Sequence, residues 1–126
     1  MSKKLWGGRF AKPTDPVIEE FTKSIHYDKK LARYDAIGSI AHVQVLKKAG
    51  YLTALEAAKL TGALGQIYKA CVKGTIRFDA SAEDVHTDIQ NKLRSKVGDL
   101  VLKLHTARSR NDQVLFATKL YCKMEL

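Results

Sequence analysis

Apolar residues recur at spacings of three and four in one stretch after another, and this constrains the fold most. Such spacing gathers side chains on one face of an α-helix, which turns every 3.6 residues. Between Asp28 and Ala49 the residues Leu31, Tyr34, Ile37, Ala41 and Val45 form one such face, and Gly50 suits the left-handed residue that ends a helix. "TALE", Thr53 to Glu56, has the form of a capping box. It opens a helix carrying Leu60, Leu64, Ile67 and Cys71, closed by Gly74. "SAED", Ser81 to Asp84, is a similar start, followed by Val85, Ile89, Leu93 and Val97 before Gly98. A further pattern, Val114, Ala117 and Tyr121, begins at Asn111 and shows no stop signal before Leu126. Earlier in the chain, "TDPVIEEF" reads as a short helix capped by Thr14 or Asp15, with Pro16 in its first turn. "LWGGRFAK" reads as an extended arm whose Trp6 and Phe10 need covering. "TIRFD", Thr75 to Asp79, is a short β-leaning connector. The sum is an all-α domain of four or five helices.

Composition narrows the partners. With 45% hydrophobic and 28% charged residues in 126, the chain can build one modest core. No apolar run approaches the ~18 residues that span a bilayer. The basic N-terminus lacks the apolar segment of a secretory signal, so a cytoplasmic location is expected. Cys71 and Cys122 are too few and too far apart for a structural zinc site; no metal is expected, and both read as apolar packers. The net charge of +9 would suit nucleic acid, an anionic membrane or an anionic small molecule. The basic residues are dispersed, however, which reads as a solvated surface with neither nucleic acid nor membrane as partner.

The stretch "LHTARSRNDQ", Leu104 to Gln113, carries the chemistry. Arg108 and Arg110 offer planar forks that grip carboxylates with two bonds each. Ser109 and Asn111 add a hydroxyl and an amide, and a helix starting near Asn111 adds free amides and its dipole. Composition leaves two readings open: a pre-formed carboxylate site, or a buried polar turn satisfying its own backbone. In "EDVHTDIQNKL", His86 borders the apolar stripe, where Asp84 and Asp88 could steer its tautomer; a lone histidine there is more often structural, unless a carboxylate arrives from elsewhere. In "SIHYD", Asp28 could cap the following helix, or Ser24 could touch a ligand. The chain has no HExxH, GxSxG, P-loop or GxGxxG motif.

Together "LWGGRF", "SIHYD", "KAGYLT", "EDVHT" and "LHTARSRNDQ" resemble, in one order and along the whole chain, the N-terminal part of the argininosuccinate lyase family of the fumarase/aspartase superfamily. The resemblance implies an N-terminal helical domain over residues 1–110 and, from 111 to 126, the beginning of a long central helix. It implies elimination of fumarate from argininosuccinate to give arginine, as in arginine biosynthesis, by a homotetramer needing no cofactor. Ser24, Arg108, Ser109, Arg110 and Asn111 fall on the family's substrate-binding positions, and His86 on a supporting one. The family's catalytic serine loop and histidine belong to segments absent here. This chain then reads as an N-terminal piece, inactive alone, with no catalytic residue of its own. Ala107 stands where the family has glycine, at a cost of about 1 kcal/mol if the position needs positive φ. The alternatives are a non-enzymatic basic helical binding module and a crystallin-like structural relative.

Overall fold

A computed structural model describes residues 13–126. The expected arm with Trp6 and Phe10 lies outside them. Among the described residues six α-helices follow one another: α1 Pro16–Thr22, α2 Ile25–Asp28, α3 Ala32–Lys48, α4 Ala54–Val72, α5 Val85–Val97 and α6 Arg110–Glu125. A 3-10 turn, Lys29–Leu31, joins α2 to α3, and a longer 3-10 segment, Gly98–His105, precedes α6. No strand occurs among the described residues; the β-leaning connector at 75–79 is irregular chain. The fold is the all-α architecture that the helical spacing calls for.

Local chemistry sets the helix ends. Asp15 accepts the Val17 amide at 2.8 Å and caps α1, with Pro16 in the first turn. Thr53 closes the capping box of α4: its hydroxyl accepts the Glu56 amide at 3.1 Å, and Glu56 Oε2 accepts the Thr53 amide at 2.9 Å. Gly50, Gly74 and Gly98 follow α3, α4 and α5 with φ of 83°, 67° and 62°, a region costly for other residues. One start differs from expectation. The cap of α5 is Asp84, whose Oδ1 accepts the Thr87 amide at 2.6 Å, while Ser81 bonds back to Asp79. A carboxylate next to the helix outcompetes a hydroxyl three residues upstream, because it also meets the helix dipole.

Helix α3 is the hub, packed mainly on α4 and α6 and touching α5 and the 3-10 segment. Leu60, Leu64 and Ile67 of α4 and Val85, Ile89 and Leu93 of α5 fill the core with Val43, Leu46, Val101 and Leu104. Each such side chain removed from water contributes ~1.5–3 kcal/mol. The face of α3 is a correction. Tyr34 is buried, but Ile37 and Val45 lie 36% and 61% exposed. The buried face is instead Ala32, Asp35, Ala36, Ser39, Val43 and Leu46. Small residues there let neighbouring helices approach, and the two polar ones find partners described below. At Gly38 the approach of α6 is close enough that a Cβ would stand 2.6 Å from Phe116 Cδ1.

Candidate functional site

The donor-rich stretch forms the turn from the 3-10 segment into α6. Ala107, at φ 55°, is the one non-glycine residue with positive φ among those described. It reverses the chain so that Arg108 and Arg110 diverge. Ser109 then begins α6 with a reciprocal capping box: its hydroxyl accepts the Asp112 amide at 3.2 Å, and Asp112 Oδ2 accepts the Ser109 amide at 3.0 Å. The Ser109 backbone amide, and after it the Ser109 hydroxyl, hold the Asp112 carboxyl below the usual carboxylate range. The box occupies the Asp112 amide, so the amides of Arg110 and Asn111 remain as the first-turn donors of α6. The turn is also held from α3: His42 Nε2 lies 2.9 Å from the Thr106 carbonyl, a geometry that places the ring proton on Nε2.

Arg108 points inward. Its Nη1 donates to Ser39 Oγ at 3.1 Å. Ser39 Oγ in turn donates to Asp35 Oδ1 at 3.2 Å, and Gln113 Nε2 donates to the same oxygen at 2.8 Å. Asp35 Oδ2 lies 3.0 Å from His86 Nδ1, with both side chains buried. One carboxylate thus joins α3, α5 and α6. Burial pulls the Arg108 guanidinium below its ordinary pKa, and the charge of Asp35 opposes the fall. Burial, then the charges of Arg108 and Arg110, lower the pKa of His105, which favours its neutral ring.

The expectation that Asp84 and Asp88 steer His86 is overturned. Asp84 is engaged as the α5 cap and by Arg110, and Asp88 bonds Lys92 and the Asp79 amide. The carboxylate comes from Asp35, 51 residues away in sequence. Asp28 likewise does not cap the helix after it. Its Oδ2 accepts the Ser24 hydroxyl at 2.6 Å and its Oδ1 accepts the Val85 amide at 3.1 Å.

These bonds bring the three flagged segments together. The Ser24 amide donates to the Glu83 carbonyl at 2.8 Å, so the α2 start is stitched to the α5 start. From α6, Arg110 reaches the same end of α5, donating to Asp84 Oδ1 at 3.3 Å and to Thr87 Oγ1 at 3.2 Å. Arg110 keeps about a third of its side chain exposed. Asn111 projects into solvent. Ser24 and Arg110 therefore meet at one hydrogen-bonded end of α5, with Asn111 exposed beside Arg110, whereas Arg108 is drawn into the interior and Ser109 is occupied as a cap. Sequence reasoning missed Asp35 and the burial of Gln113. The available signal for Asp35 was an acid four residues before Ser39 on the same helix.

A protein-family model described as Lyase matches residues 8–126. The chain belongs to this lyase family. Among curated relatives, the argininosuccinate lyase of Heliobacterium mobile is 46% identical over 126 residues, all of this chain and 28% of the relative. That of Carboxydothermus hydrogenoformans is 48% identical over 122 residues, covering 97% of the chain and 27% of the relative. That of Desulforamulus reducens is 46% identical over 123 residues, 98% of the chain and 27% of the relative. The chain thus spans little more than a quarter of the length of these lyases. No helix among the described residues is long and apolar enough to cross a membrane, and no group of His, Cys, Asp and Glu among them could hold a metal ion.

Proposed function

We propose that this chain supplies carboxylate-positioning groups to an argininosuccinate lyase, which eliminates fumarate from argininosuccinate and leaves arginine. The observation that carries the reading is the junction of Ser24, the α5 start and Arg110 at one end of the helices, in a chain nearly half identical to proteins named argininosuccinate lyase.

The chemistry required is as follows. A base removes a proton from the carbon beside a carboxylate, and charge builds on that carboxylate before the C–N bond breaks. Fixed donors aimed at the developing charge lower the barrier, since they need no reorganisation during reaction. Arg110 retains guanidinium N–H groups beyond the two bonds that orient it, and Asn111 presents an amide at the positive end of α6. Ser24 stands across the α5 start and gives its hydroxyl proton to Asp28 and its amide to the Glu83 carbonyl, so its oxygen offers the site an acceptor and fixes the α5 start. Arg108 and Ser109 shape the turn that presents these donors, and His86 with Asp35 supports it from beneath. The proton-abstracting groups lie outside these 126 residues. In this reading α6 begins the long helix of a second domain from residue 111, the assembly is a cytoplasmic homotetramer, and no cofactor takes part.

The test compares two polypeptides given argininosuccinate, the 126-residue chain and one of the relatives' full length that carries it, with fumarate followed by its ultraviolet absorbance. Release is expected from the longer polypeptide alone. Comparable release by the short chain would overturn the assignment of the proton-abstracting groups, and no release by the longer would overturn the substrate.

A further inference from the structure

The chain reverses between His105 and Arg108. The Arg108 amide donates to the His105 carbonyl at 3.3 Å. Of the two residues between, Thr106 has φ −56° and ψ 129°, and Ala107 has φ 55°. This is a type II β-turn, whose third position needs positive φ and so favours glycine. A type I turn joins the same ends with the peptide plane between 106 and 107 turned over. That rotation would take Thr106 to helical backbone and Ala107 to negative φ, both ordinary for residues with a Cβ. On its own sequence the turn would therefore favour type I.

What holds the strained form stands on α3. The half-buried His42 has its Nε2 2.9 Å from the carbonyl of Thr106, the acceptor in that same peptide plane. Among the described residues this is the one hydrogen bond that joins the backbone of the turn to another helix. Turning the plane over would set the Ala107 N–H against the ring N–H, donor against donor. The peptide is trans, so with its carbonyl on His42 the Ala107 N–H faces away from α3. In a type I turn a carbonyl would take that outward place.

We propose that His42 is a positioning residue: by holding the Thr106 carbonyl it keeps the turn in its type II form and turns an amide donor, rather than a carbonyl, outward in the run that leads to Arg110 and Asn111. Near a carboxylate, the first orientation attracts and the second repels. The kinetic consequence rests on the proposed function, whereas the role of His42 in the turn does not.

The test uses a polypeptide of the relatives' full length that carries this chain, in crystals and in argininosuccinate turnover. In His42→Leu the Thr106 carbonyl is expected to turn over and Ala107 to take negative φ, with the helices unmoved. His42→Ala takes its place if leucine is not accommodated. The kcat should fall ~10–100-fold, with KM moving much less, because a misdirected donor counts most against charge that develops during reaction. His42→Gln offers an amide N–H at similar reach, and should restore both the type II turn and most of kcat. Ala107→Gly added to His42→Leu removes the penalty on positive φ, and should recover part of kcat. An unchanged type II turn in His42→Leu would overturn the proposal whatever the activity. So would a turned-over peptide with parental kcat, or a loss that neither His42→Gln nor the added glycine recovers. A parent that releases no fumarate would sink the proposed function instead, and the crystal comparison would still decide the role of His42.

Discussion

Replacing Asp35 should destabilise the fold more than any surface change. The carboxylate is 1% exposed and accepts bonds from His86, Ser39 and Gln113, while Arg108 draws on its charge. In Asp35→Ala the three donors lose their acceptor. Each stranded buried group costs about 1–3 kcal/mol, and an uncompensated buried charge adds to that. Partial relaxation and water entry reduce the sum, so a loss of roughly 3–6 kcal/mol is expected against the ~5–15 kcal/mol typical of a whole domain. Asp35→Asn keeps an oxygen for Ser39 and Gln113 and lets His86 switch its ring proton to Nε2. It loses charge assistance, and about 2–3 kcal/mol is expected. Urea unfolding followed by circular dichroism measures both. With a slope near ~2 kcal/mol per molar, Asp35→Ala should lower the midpoint by roughly 1.5–3 M and Asp35→Asn by roughly 1–1.5 M. A shift below ~0.3 M for Asp35→Ala would refute the reasoning that this carboxylate joins the three helices.

Ala107→Gly relieves a positive φ but frees the unfolded chain, so a net gain of about 0.5 kcal/mol, read as a small rise in Tm, is expected; a clear fall would show that Ala107 packs usefully where it stands. Gly38→Ala should push the Phe116 ring away from α3 and destabilise by roughly 1–2 kcal/mol. Phe116→Ala in the same chain should recover most of that cost, and simple additivity of the two changes would contradict the contact. The depressed pKa of His105 means the unfolded chain binds its proton more tightly than the folded one. Stability should therefore hold above about pH 6.5 and decline as the pH falls below it, levelling off under the folded-state pKa. His105→Phe should flatten that part of a urea midpoint-against-pH profile, and an unchanged profile would remove His105 as its source.

What could be read from sequence was local. The capping box of Thr53 and Glu56 and the stripe of Leu60, Leu64 and Ile67 depend on neighbours within a turn or two, and both stand as expected. The phase of α3 did not follow, because its core-facing side carries Asp35 and Ser39, which look like surface residues until partners from α5 and α6 arrive. Ile37 and Val45 look like core for the converse reason. The flagged turn was legible in its chemistry but not in its directions. Two arginines one residue apart look equivalent in sequence, yet Ala107 and the Ser109 cap send Arg108 inward and Arg110 towards Asp84. The acid that pairs with His86 could not be found by spacing, since it lies on a different helix.

Asn111 offers the most direct measurement. Its side chain is exposed at the start of α6, so its loss should leave the fold unaltered. Asn111→Leu, placed in a polypeptide of the relatives' full length, should lower kcat/KM for argininosuccinate by ~100-fold or more, the scale of removing one preorganised donor from a developing charge. Its urea midpoint should match the parent. Equal kcat/KM in the two proteins would contradict the assignment of this helix start to the substrate's carboxylate.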